Sequence, residues 1–384
     1  MTALFDESNK CCGCTACSKI CSQKAITMNP DAEGFLYPDI SAALCIDCGS
    51  CKSICAFNEN YDRSFNISEI EIYAARHKEE AVRASSSSGG VFTALSDYIF
   101  SKGGVVYGAL LDEDLYVKHS RADTTEARDR LRGSKYVQSD LMDTFNEAKA
   151  DLLCQRYVLF TGTPCQTAGF RSYIKKAKID SDRLFVCDFI CHGTPSPLIW
   201  KEYICFVEKK RKKKISDFQF RSKIKGWGHT EVIVYDDGKV EYKSFLSQRQ
   251  KRLYQRRPAF RPSCHKCHYT NFERPSDITI ADFWGINNSI PDFFDKKGIS
   301  LIIVNSAKGK DLFNGISNDI DHRVSTKTDC MQLNLKAPSA PFRKRTQFWD
   351  DYHSKGYPYV IRKYGEYSLL GYIKYILRSV LKTR

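Results

Sequence analysis

Two sets of four cysteines near the N-terminus have the spacing of iron–sulfur ligands. Each set is spaced C-x2-C-x2-C-x3-C, and the sets are Cys11, Cys14, Cys17 and Cys21, then Cys45, Cys48, Cys51 and Cys55. Three thiolates on one short loop can bind three irons of a cubane, while the fourth cysteine begins a helical turn that points elsewhere. The repeat predicts two 4Fe–4S clusters. A pair of zinc sites is the alternative, but each zinc site needs only four ligands and does not require this doubled four-cysteine spacing.

The fourth cysteine of each set is expected to bind the cluster of the other set, as it does in two-cluster ferredoxins. One cluster would then bind Cys11, Cys14, Cys17 and Cys55. The other would bind Cys45, Cys48, Cys51 and Cys21. Residues 1–60 are therefore predicted to form a bacterial-type ferredoxin domain with two 4Fe–4S clusters. The stretches AITM and GFLYPDI predict its small hairpin, with a turn containing Asn29, Pro30 and Gly34.

Four further cysteines stand in three predicted loops. Cys165 and Cys191 follow two predicted strands in the similar turns TGTPCQ and CHGTPSP, and Cys264 and Cys267 form a C-x2-C pair. In α/β sheets ligands lie where strands end and helices begin, so these four could hold a third 4Fe–4S cluster. Zinc at the C-x2-C pair, with His265 or His268, is an equal alternative. The cysteines predicted to be packing residues are Cys154, Cys187, Cys205 and Cys330, and Cys12 is predicted to be unligated.

The elements that must position these loops alternate between strand and helix from Ile72 onward. Predicted strands are VVYGALL, RYVLF, RLFVCDFI and ISLIIVN; predicted helices are VFTALSDYIF, DTFNEAKADLL, TAGFRSYIKK and LIWKEYICFVEKK. The fold class is thus an α+β ferredoxin domain followed by a mixed α/β domain. The predicted domains are a linker at 61–72, the α/β domain at 73–335 and a C-terminal extension at 336–384. HTEVIVYDDGKVEYKSF predicts a hairpin turning at Asp237 and Gly238.

Composition and charge indicate the compartment and the partners of the protein. The chain has 384 residues, 17 cysteines and a formal net charge of +14. Its first residues lack a signal-peptide pattern and no run is long enough to span a membrane, so a reduced, cytoplasmic metal protein is expected. The basic charge suits an acidic protein, an anionic lipid or a phosphorylated ligand. Nucleic acid is not expected, because no binding motif is present.

Two further stretches suggest binding surfaces. The first is basic and could meet an anionic or nucleotide-linked small molecule; its cations are Arg249, Lys251, Arg252, Arg256, Arg257 and Arg261. The second is a C-terminal amphipathic helix with one apolar face made of Leu369, Leu370, Ile373, Ile376, Leu377, Val380 and Leu381. Docking of that face onto the core is expected, and peripheral contact with the inner membrane face is the alternative.

Small and hydroxyl residues precede the predicted helix at Val91. The segment from Ser85 to Gly90 is SSSSGG, which suits a phosphate or pyrophosphate at a helix N-terminus. A plain helix cap is the other interpretation. Neither a Walker lysine nor a G-x-G-x-x-G pattern follows, so the sequence predicts neither a P-loop nor a dinucleotide fingerprint.

Five motifs in order resemble one family. SSSSGGVFTAL, GSKYVQS, TGTPCQTAGF, DFICHGTPSP and RPSCHKCHYTNFERPSDITIADFWGI, spread from about Ile72 to Ile286, resemble the beta subunits of coenzyme F-420 hydrogenases and dehydrogenases. The resemblance implies a flavoprotein, usually with FAD, and a third cluster on Cys165, Cys191, Cys264 and Cys267. It also implies flavin contacts from Ser87, Ser88, Gly89, Gly90, Lys135, Tyr136, Gln138, Gly162 and Thr163.

The expected activity is an iron–sulfur flavoprotein oxidoreductase. Electrons from ferredoxin or a similar carrier would pass through 4Fe–4S clusters to a flavin that reduces a small substrate, with surface-polysaccharide biosynthesis as one setting. The alternative is an electron-transfer subunit that serves a partner enzyme, or one that acts on a deazaflavin coenzyme. Candidate catalytic proton donors are His192, Tyr136 and Asp282.

Overall fold

The computed structural model describes residues 4–58, 69–242 and 244–381. The helices are α1 Ala16–Ile20, α2 Ser50–Ser53, α3 Glu80–Ser85, α4 Val91–Ser101, α5 Thr125–Leu131, α6 Thr144–Leu153, α7 Pro164–Lys176, α8 Pro197–Arg211, α9 Arg249–Arg256, α10 Ile286–Ser289, α11 Ala307–Ile316, α12 Arg345–Lys355, α13 Tyr357–Lys363 and α14 Leu369–Leu381. The strands are β1 Ile26–Pro30, β2 Leu36–Ile40, β3 Glu71–His77, β4 Val105–Leu111, β5 Val117–Ala122, β6 Val158–Gly162, β7 Leu184–Phe189, β8 Ile215–Gln219, β9 Val232–Tyr235, β10 Val240–Glu241, β11 Ile278–Asp282, β12 Ser300–Val304 and β13 Ile320–Val324. Most of the predicted linker lies outside the described residues.

The N-terminal lobe, residues 4–58, contains one hairpin. β1 and β2 pair antiparallel along their whole length. In the turn between them Gly34 has φ +81°, and the Phe35 N–H donates to the Asp31 carboxylate at 2.9 Å. The predicted hairpin is confirmed, but Asn29 and Pro30 lie in β1 and not in the turn.

The rest of the chain is built on an eight-stranded mixed sheet. Its strand order is β13-β3-β12-β11-β7-β6-β4-β5. The central strands β11, β7, β6 and β4 are parallel, and antiparallel neighbours flank them. Parallel strands need crossover connections, which α7 supplies between β6 and β7. The predicted mixed α/β domain is confirmed, with every quoted strand and helix present.

Both faces of this sheet are covered. Residues of α4, α5 and α11 pack on one face, and residues of α6 and α7 pack on the other, together with Cys14, Ala16 and Ile54 of the N-terminal lobe. The lobe approaches α7 closely at Gly169, where an added Cβ would lie 2.6 Å from Cys14 Sγ. The first cysteine set is therefore fixed against the sheet domain.

A second core lies beside the sheet. β8, β9 and β10 form a small antiparallel sheet that packs with α8, α12 and α13. The hairpin predicted at Asp237 and Gly238 is confirmed, with Gly238 at φ +78°. Trp200 of α8 donates from its indole N–H to the Leu115 carbonyl at 2.7 Å. Because residues of α12 and α13 belong to this core, the predicted C-terminal extension shares a core with α8.

Two sequence expectations about packing are wrong. Cys187 and Cys330 are buried as predicted, but Cys154 and Cys205 are exposed. Cys205 lies on the side of α8 opposite the buried Trp200, so the helix turns it to solvent. The predicted apolar face of α14 also points outward at its five described positions, with Leu369 75% and Leu370 72% exposed. The side chains of Val380 and Leu381 lie outside the described residues.

Across residues 4–58, 69–242 and 244–381 we find no helix with the length and apolar character needed to cross a membrane.

Candidate redox site

The two N-terminal cysteine sets share an unusual backbone. The residues on either side of the second cysteine of each set have positive φ: Gly13 at 71° and Thr15 at 61° in the first, Asp47 at 52° and Gly49 at 73° in the second. Positive φ is uncommon for residues other than glycine, and it costs free energy that the surroundings must offset. The internal repeat thus extends from cysteine spacing to backbone conformation.

The structure brings one exchanged set of cysteines together. Cys21 lines a small pocket with Cys45, Cys48 and Cys51. Three of these come from the second motif and one is the fourth cysteine of the first motif. This is the grouping that the sequence predicted for one cluster.

The other exchanged set is also close in space. Burial raises the pKa of the Cys17 thiol, and its neighbours Cys14, Cys11 and Cys55 add to that effect. Burial likewise raises the pKa of Cys55 to about 11. These thiols are therefore near enough to influence one another's charge.

The pocket of the third cysteine group, called the third pocket, lies between the lobe and the sheet. It is lined by Cys165, Cys191, Cys264 and Cys267, with Cys12 beside them. Cys165 stands in the first turn of α7, Cys191 follows β7, and the last two belong to a 3-10 turn and the residue after it. The N–H of Gly193 donates to Cys191 Sγ and the N–H of Thr194 to Cys264 Sγ, both at 3.4 Å.

The donor chemistry of all three cysteine groups suits 4Fe–4S clusters. Among the described residues, no three His, Cys, Asp or Glu side chains converge as ligands of one metal ion would. Four thiolates around a cubane bind four different irons, so they need not converge. The zinc alternative at Cys264 and Cys267 stays a prediction. His265 Nδ1 is bonded to the Ser339 carbonyl at 2.8 Å, which leaves Nε2 as the nitrogen that could bind a metal, while His268 stacks on Phe57.

Arg261 connects two of these cysteine groups. The residue is 1% exposed, and its guanidinium donates to the Cys11 carbonyl at 2.8 Å and the Leu36 carbonyl at 2.9 Å. Nη2 also lies 3.6 Å from Cys11 Sγ, and the side chain lines the third pocket. The rings of Phe35 and Tyr37 pack beside it, at 5.3 and 4.1 Å. A permanent positive charge therefore lies between two groups of thiolates.

A larger cavity of about 360 Å³ opens at the carboxyl ends of the parallel strands. Predicted residues that line it are Ser87, Ser88, Gly90, Lys135, Tyr136, Gly162, Thr163, His192 and Asp282. Cavities of this size hold cofactors and small ligands. Gly90, at φ +92°, lets the chain turn directly into α4 beside the cavity.

Two predicted flavin contacts are not among the residues lining this cavity. The N–H of Gly89 donates to Ser300 Oγ at 2.9 Å, and an added Cβ would lie 2.5 Å from the Ala75 carbonyl oxygen. Gly89 therefore packs against the sheet. Gln138 is buried and donates to the Cys12 carbonyl at 2.9 Å, so its side chain serves the lobe interface.

One loop separates the cavity from the third cysteine pocket. Residues 191–194 line both spaces. Cys191 is thus a member of the cysteine group, and the adjacent His192 faces the cavity as well. Gly193, at φ +113°, packs so closely on Phe260 that an added Cβ would lie 2.4 Å from its ring.

Comparisons with known proteins bear on this arrangement. The chain matches the model for the N-terminal part of the coenzyme F420 hydrogenase/dehydrogenase beta subunit at residues 72–146. It matches the model for the C-terminal part of the same subunit at residues 155–329. Together the two matches cover more than half of the chain. The chain belongs to the coenzyme F420 hydrogenase/dehydrogenase beta subunit family. The family match extends past Ile286, where the quoted motifs end, and membership places the chain among oxidoreductases that transfer electrons.

Among solved structures, the chain is similar to a chain of the F420-reducing [NiFe] hydrogenase complex from Methanosarcina barkeri, studied by xenon derivatization. The identity is 17%, the match covers 67% of this chain and 82% of that chain, and the TM-score is 0.46. This likeness is too distant to carry an argument about function. No curated protein matches the chain.

In this family member, the cavity mouth is organised by an ion pair. Arg221 binds the Asp282 carboxylate through both terminal nitrogens, with Nη2 at 3.0 Å. The indole of Trp227 donates to the same carboxylate at 2.7 Å and stacks on Trp284 at 4.8 Å. Asp282, predicted as a proton donor, is therefore held in structural contacts.

Burial shifts several titrating groups around the cavity. It lowers the pKa of Lys135 to about 7 and raises the pKa of Tyr136 to about 12. It also lowers the pKa of His192, and it lowers the pKa of His229 to about 3. Tyr136 remains protonated near neutral pH, so it can donate a hydrogen bond into the cavity.

Sequence reasoning missed many of the residues that line the cavity, among them Arg221, His229, Tyr254 and Trp284. Arg221, His229 and Tyr254 come from the region around β8, β9 and α9, where the sequence contains no recognised motif. Trp284 stands inside the quoted ADFWGI and could have been named, because an aromatic side chain next to Asp282 suits a planar ligand.

The basic segment around α9 does not form one surface. Arg249 is buried and donates to the Phe245 and Gly365 carbonyls, while Arg252 and Arg256 pair with Glu366. Arg261 lies at the lobe interface. The predicted anion-binding patch is therefore wrong as a unit, since three of the six cations, Arg249, Arg252 and Arg256, hold the C-terminal part of the chain in place.

Proposed function

We propose that this chain is an electron-transfer subunit that binds three 4Fe–4S clusters and FAD and serves a partner oxidoreductase or a deazaflavin coenzyme. The three cysteine groups would hold the clusters, and the cavity beside α4 would hold the flavin. Bound clusters carry single electrons, and a bound flavin exchanges single electrons with them and electron pairs with a substrate.

The shared wall at residues 191–194 carries the proposal. Cys191 belongs to a four-cysteine pocket and His192 to the cavity, so only one loop separates the two candidate cofactor sites. The first cysteine set adjoins the same region, because Arg261 contacts Cys11 and also lines the third pocket. The first cysteine set, the third pocket and the cavity would thus lie next to one another in that order, from the lobe to the cavity.

The chain's own groups would position the cofactor. The turn at Ser87 and Ser88 lines the cavity together with Lys135, whose ammonium donates to the carbonyls of residues 130, 131 and 132. The turn and the nearby cation suit an anionic ligand. Tyr136 packs at 4.3 Å from Tyr254, and together these rings offer an aromatic wall for a planar group. His192 and Tyr136 remain candidates for holding a proton at the cavity.

The exposed end of the lobe is the candidate docking point for an electron carrier. Cys45 and Cys48 are exposed, and the neighbouring Leu44 and Ile46 are 54% and 64% exposed. The net charge of +14 would favour an acidic carrier such as ferredoxin. The second cysteine pocket is therefore the proposed entry or exit for electrons.

A second candidate is a reductase of an anionic or nucleotide-linked small molecule, as in surface-polysaccharide synthesis. Phe189 and Trp284 line the cavity and are 41% and 42% exposed, so they could contact a substrate at its mouth. A reductase would turn over a substrate with a reduced carrier alone. A subunit would co-purify with a partner and by itself reduce only artificial acceptors.

Anaerobic mixing with reduced ferredoxin tests the electron route. After reconstitution, flavin bleaching should slow by at least about tenfold in Cys48→Ala/Cys51→Ala. The matched control is Cys154→Ala/Cys205→Ala, which removes two exposed cysteines outside the three groups and should bleach at the wild-type rate. Equal bleaching in both variants would show that the lobe is not on the route.

A further inference from the structure

The last helix turns an apolar stripe to solvent. Leu369, Leu370, Ile373, Ile376 and Leu377 of α14 are between 41% and 75% exposed. They recur at three- and four-residue intervals, so they lie along one side of the helix. A contiguous exposed apolar stripe of this kind commonly marks a surface that binds another protein or a membrane.

The opposite side of α14 is docked. The rings of Tyr372 and Tyr375 lie 5.4 and 5.6 Å from the ring of Phe245. Gly371 is buried, and an added Cβ would lie 1.9 Å from the Glu366 carbonyl oxygen. These contacts set the rotation of the helix about its axis, so the outward direction of the stripe belongs to the packed structure.

The polar residues of this segment are all basic or neutral. From Leu369 to Arg384 the sequence contains four Lys or Arg residues and no Asp or Glu. Lys374 is exposed beside the apolar stripe. A helix with an apolar side and a basic side has the composition of helices that lie in a membrane interface.

A basic cavity is lined in part by residues that stand shortly before α14 in the chain. Its volume is about 530 Å³, and it is lined by Arg256, Arg257, Arg343, Lys344 and Lys363 among others, with no carboxylate. Arg256 and Lys363 pair with Glu366 and Asp351. No carboxylate within the described ranges pairs with the other three. Tyr364 also lines this cavity, only five residues before α14 begins.

We propose that α14 and this basic cavity form one docking surface for a membrane that contains anionic phospholipid. The apolar stripe would enter the acyl boundary, and the cations would meet lipid phosphates. With 13 residues the helix is far too short to span a bilayer, which needs about 20 residues. A second copy of the chain fits less well, because a symmetric contact would bring basic residues together. This inference is independent of the proposed redox function.

Vesicle flotation of the full chain tests the surface. We expect the protein to float with vesicles of equal parts phosphatidylcholine and phosphatidylglycerol and to stay below vesicles of phosphatidylcholine alone. The bound fraction should fall several-fold when salt is raised, since screening weakens the phosphate contacts. Failure to float with the anionic vesicles would overturn the proposal. That outcome would stand even if the chain were found to dimerise or to bind an acidic protein through this surface.

Paired variants separate the helix from general charge. Ile373→Glu/Leu377→Glu should abolish flotation. The control Val324→Glu/Leu333→Glu adds the same charge at positions 77% and 82% exposed elsewhere, and it should float like the wild type. Arg343→Gln/Lys344→Gln should weaken binding to anionic vesicles several-fold. Equal losses in the helix variant and its control would show that charge alone, and not α14, governs binding.

Discussion

Nη1 of Arg261 donates to Oε1 of Gln138 at 3.0 Å, and Nε2 of Gln138 donates onward to the Cys12 carbonyl at 2.9 Å. Both side chains are buried. The pair connects the first cysteine loop to the sheet domain through a fully satisfied chain of hydrogen bonds. Its loss would leave polar groups buried without partners, which costs more than a hydrogen bond at the surface contributes.

Gln138→Leu should therefore destabilise the fold. The change leaves Arg261 Nη1 and the Cys12 carbonyl without this partner, at a cost of about 1–3 kcal/mol for each group. We expect the free energy of unfolding in urea to fall by about 2–4 kcal/mol. Gln219→Leu, at an exposed position of β8, is the control and should change little. An unchanged midpoint in Gln138→Leu would mean that the interface does not depend on this pair.

Arg261→Met should lower the reduction potential of the cluster bound next to Cys11. The guanidinium lies 3.6 Å from Cys11 Sγ, and a positive charge there favours the reduced, more negative cluster. An anaerobic redox titration followed by electron paramagnetic resonance measures the potential. Arg261→Lys keeps the charge and should restore most of the shift. If all three proteins titrate together, Arg261 acts only in packing.

Cysteine variants test the exchanged ligand sets. Cys21 and Cys48 line the same pocket. The variants Cys21→Ser and Cys48→Ser should therefore remove the same cluster signal, with a loss of about four of twelve irons. Cys14→Ser should instead give the signature of Cys55→Ser. Cys154→Ser, which is exposed and outside the three groups, should keep its full iron content. If Cys21→Ser matched Cys14→Ser, each motif would hold its own cluster.

Ligand binding in the cavity should depend on pH through Lys135. Burial lowers the pKa of its ammonium to about 7, and the charged form is the one that attracts an anion. The affinity of the chain for FAD should fall by roughly tenfold between pH 6 and pH 8. Isothermal titration should show a flat profile in Lys135→Met. Lys176→Met, an exposed control on α7, should keep the wild-type slope.

Glu231 should make the fold less stable as pH rises. Burial raises its pKa to about 8, although the Lys251 N–H donates to it at 3.0 Å and Lys251 and Arg249 oppose the shift. Its Oε1, 3.9 Å from His229, lacks a hydrogen bond among the described residues. Between the unfolded pKa of 4.5 and about 8 the native state holds the extra proton, so stability falls across that window.

The comparison that checks this is the urea midpoint at pH 5 and pH 8. The wild type should lose a few kcal/mol between them, because each pKa unit corresponds to about 1.36 kcal/mol. Glu231→Gln should lose much less. Glu273→Gln, at an exposed position, should behave like the wild type. Parallel pH profiles in Glu231→Gln and the wild type would contradict the assignment.

The local elements were readable from the sequence because hydrophobic periodicity and turn residues act over short distances. The strand β7 and the helix α7, for example, stand where their apolar patterns predict them. The same local logic failed for Cys205 and for α14. Whether an apolar helix face is buried depends on which neighbour exists to cover it, and α14 is held by its tyrosines instead.

The cysteine spacing by itself predicted that residues 1–60 carry two interleaved ligand sets, since the repeat fixes which cysteines share a short loop. Only the tertiary structure decided that Cys165, Cys191, Cys264 and Cys267 line one pocket, that Arg261 lies against the first set, and that one loop adjoins the cavity. These residues lie far apart in the chain. Their meeting depends on strand order and on the packing of the lobe against α7, which no local pattern encodes.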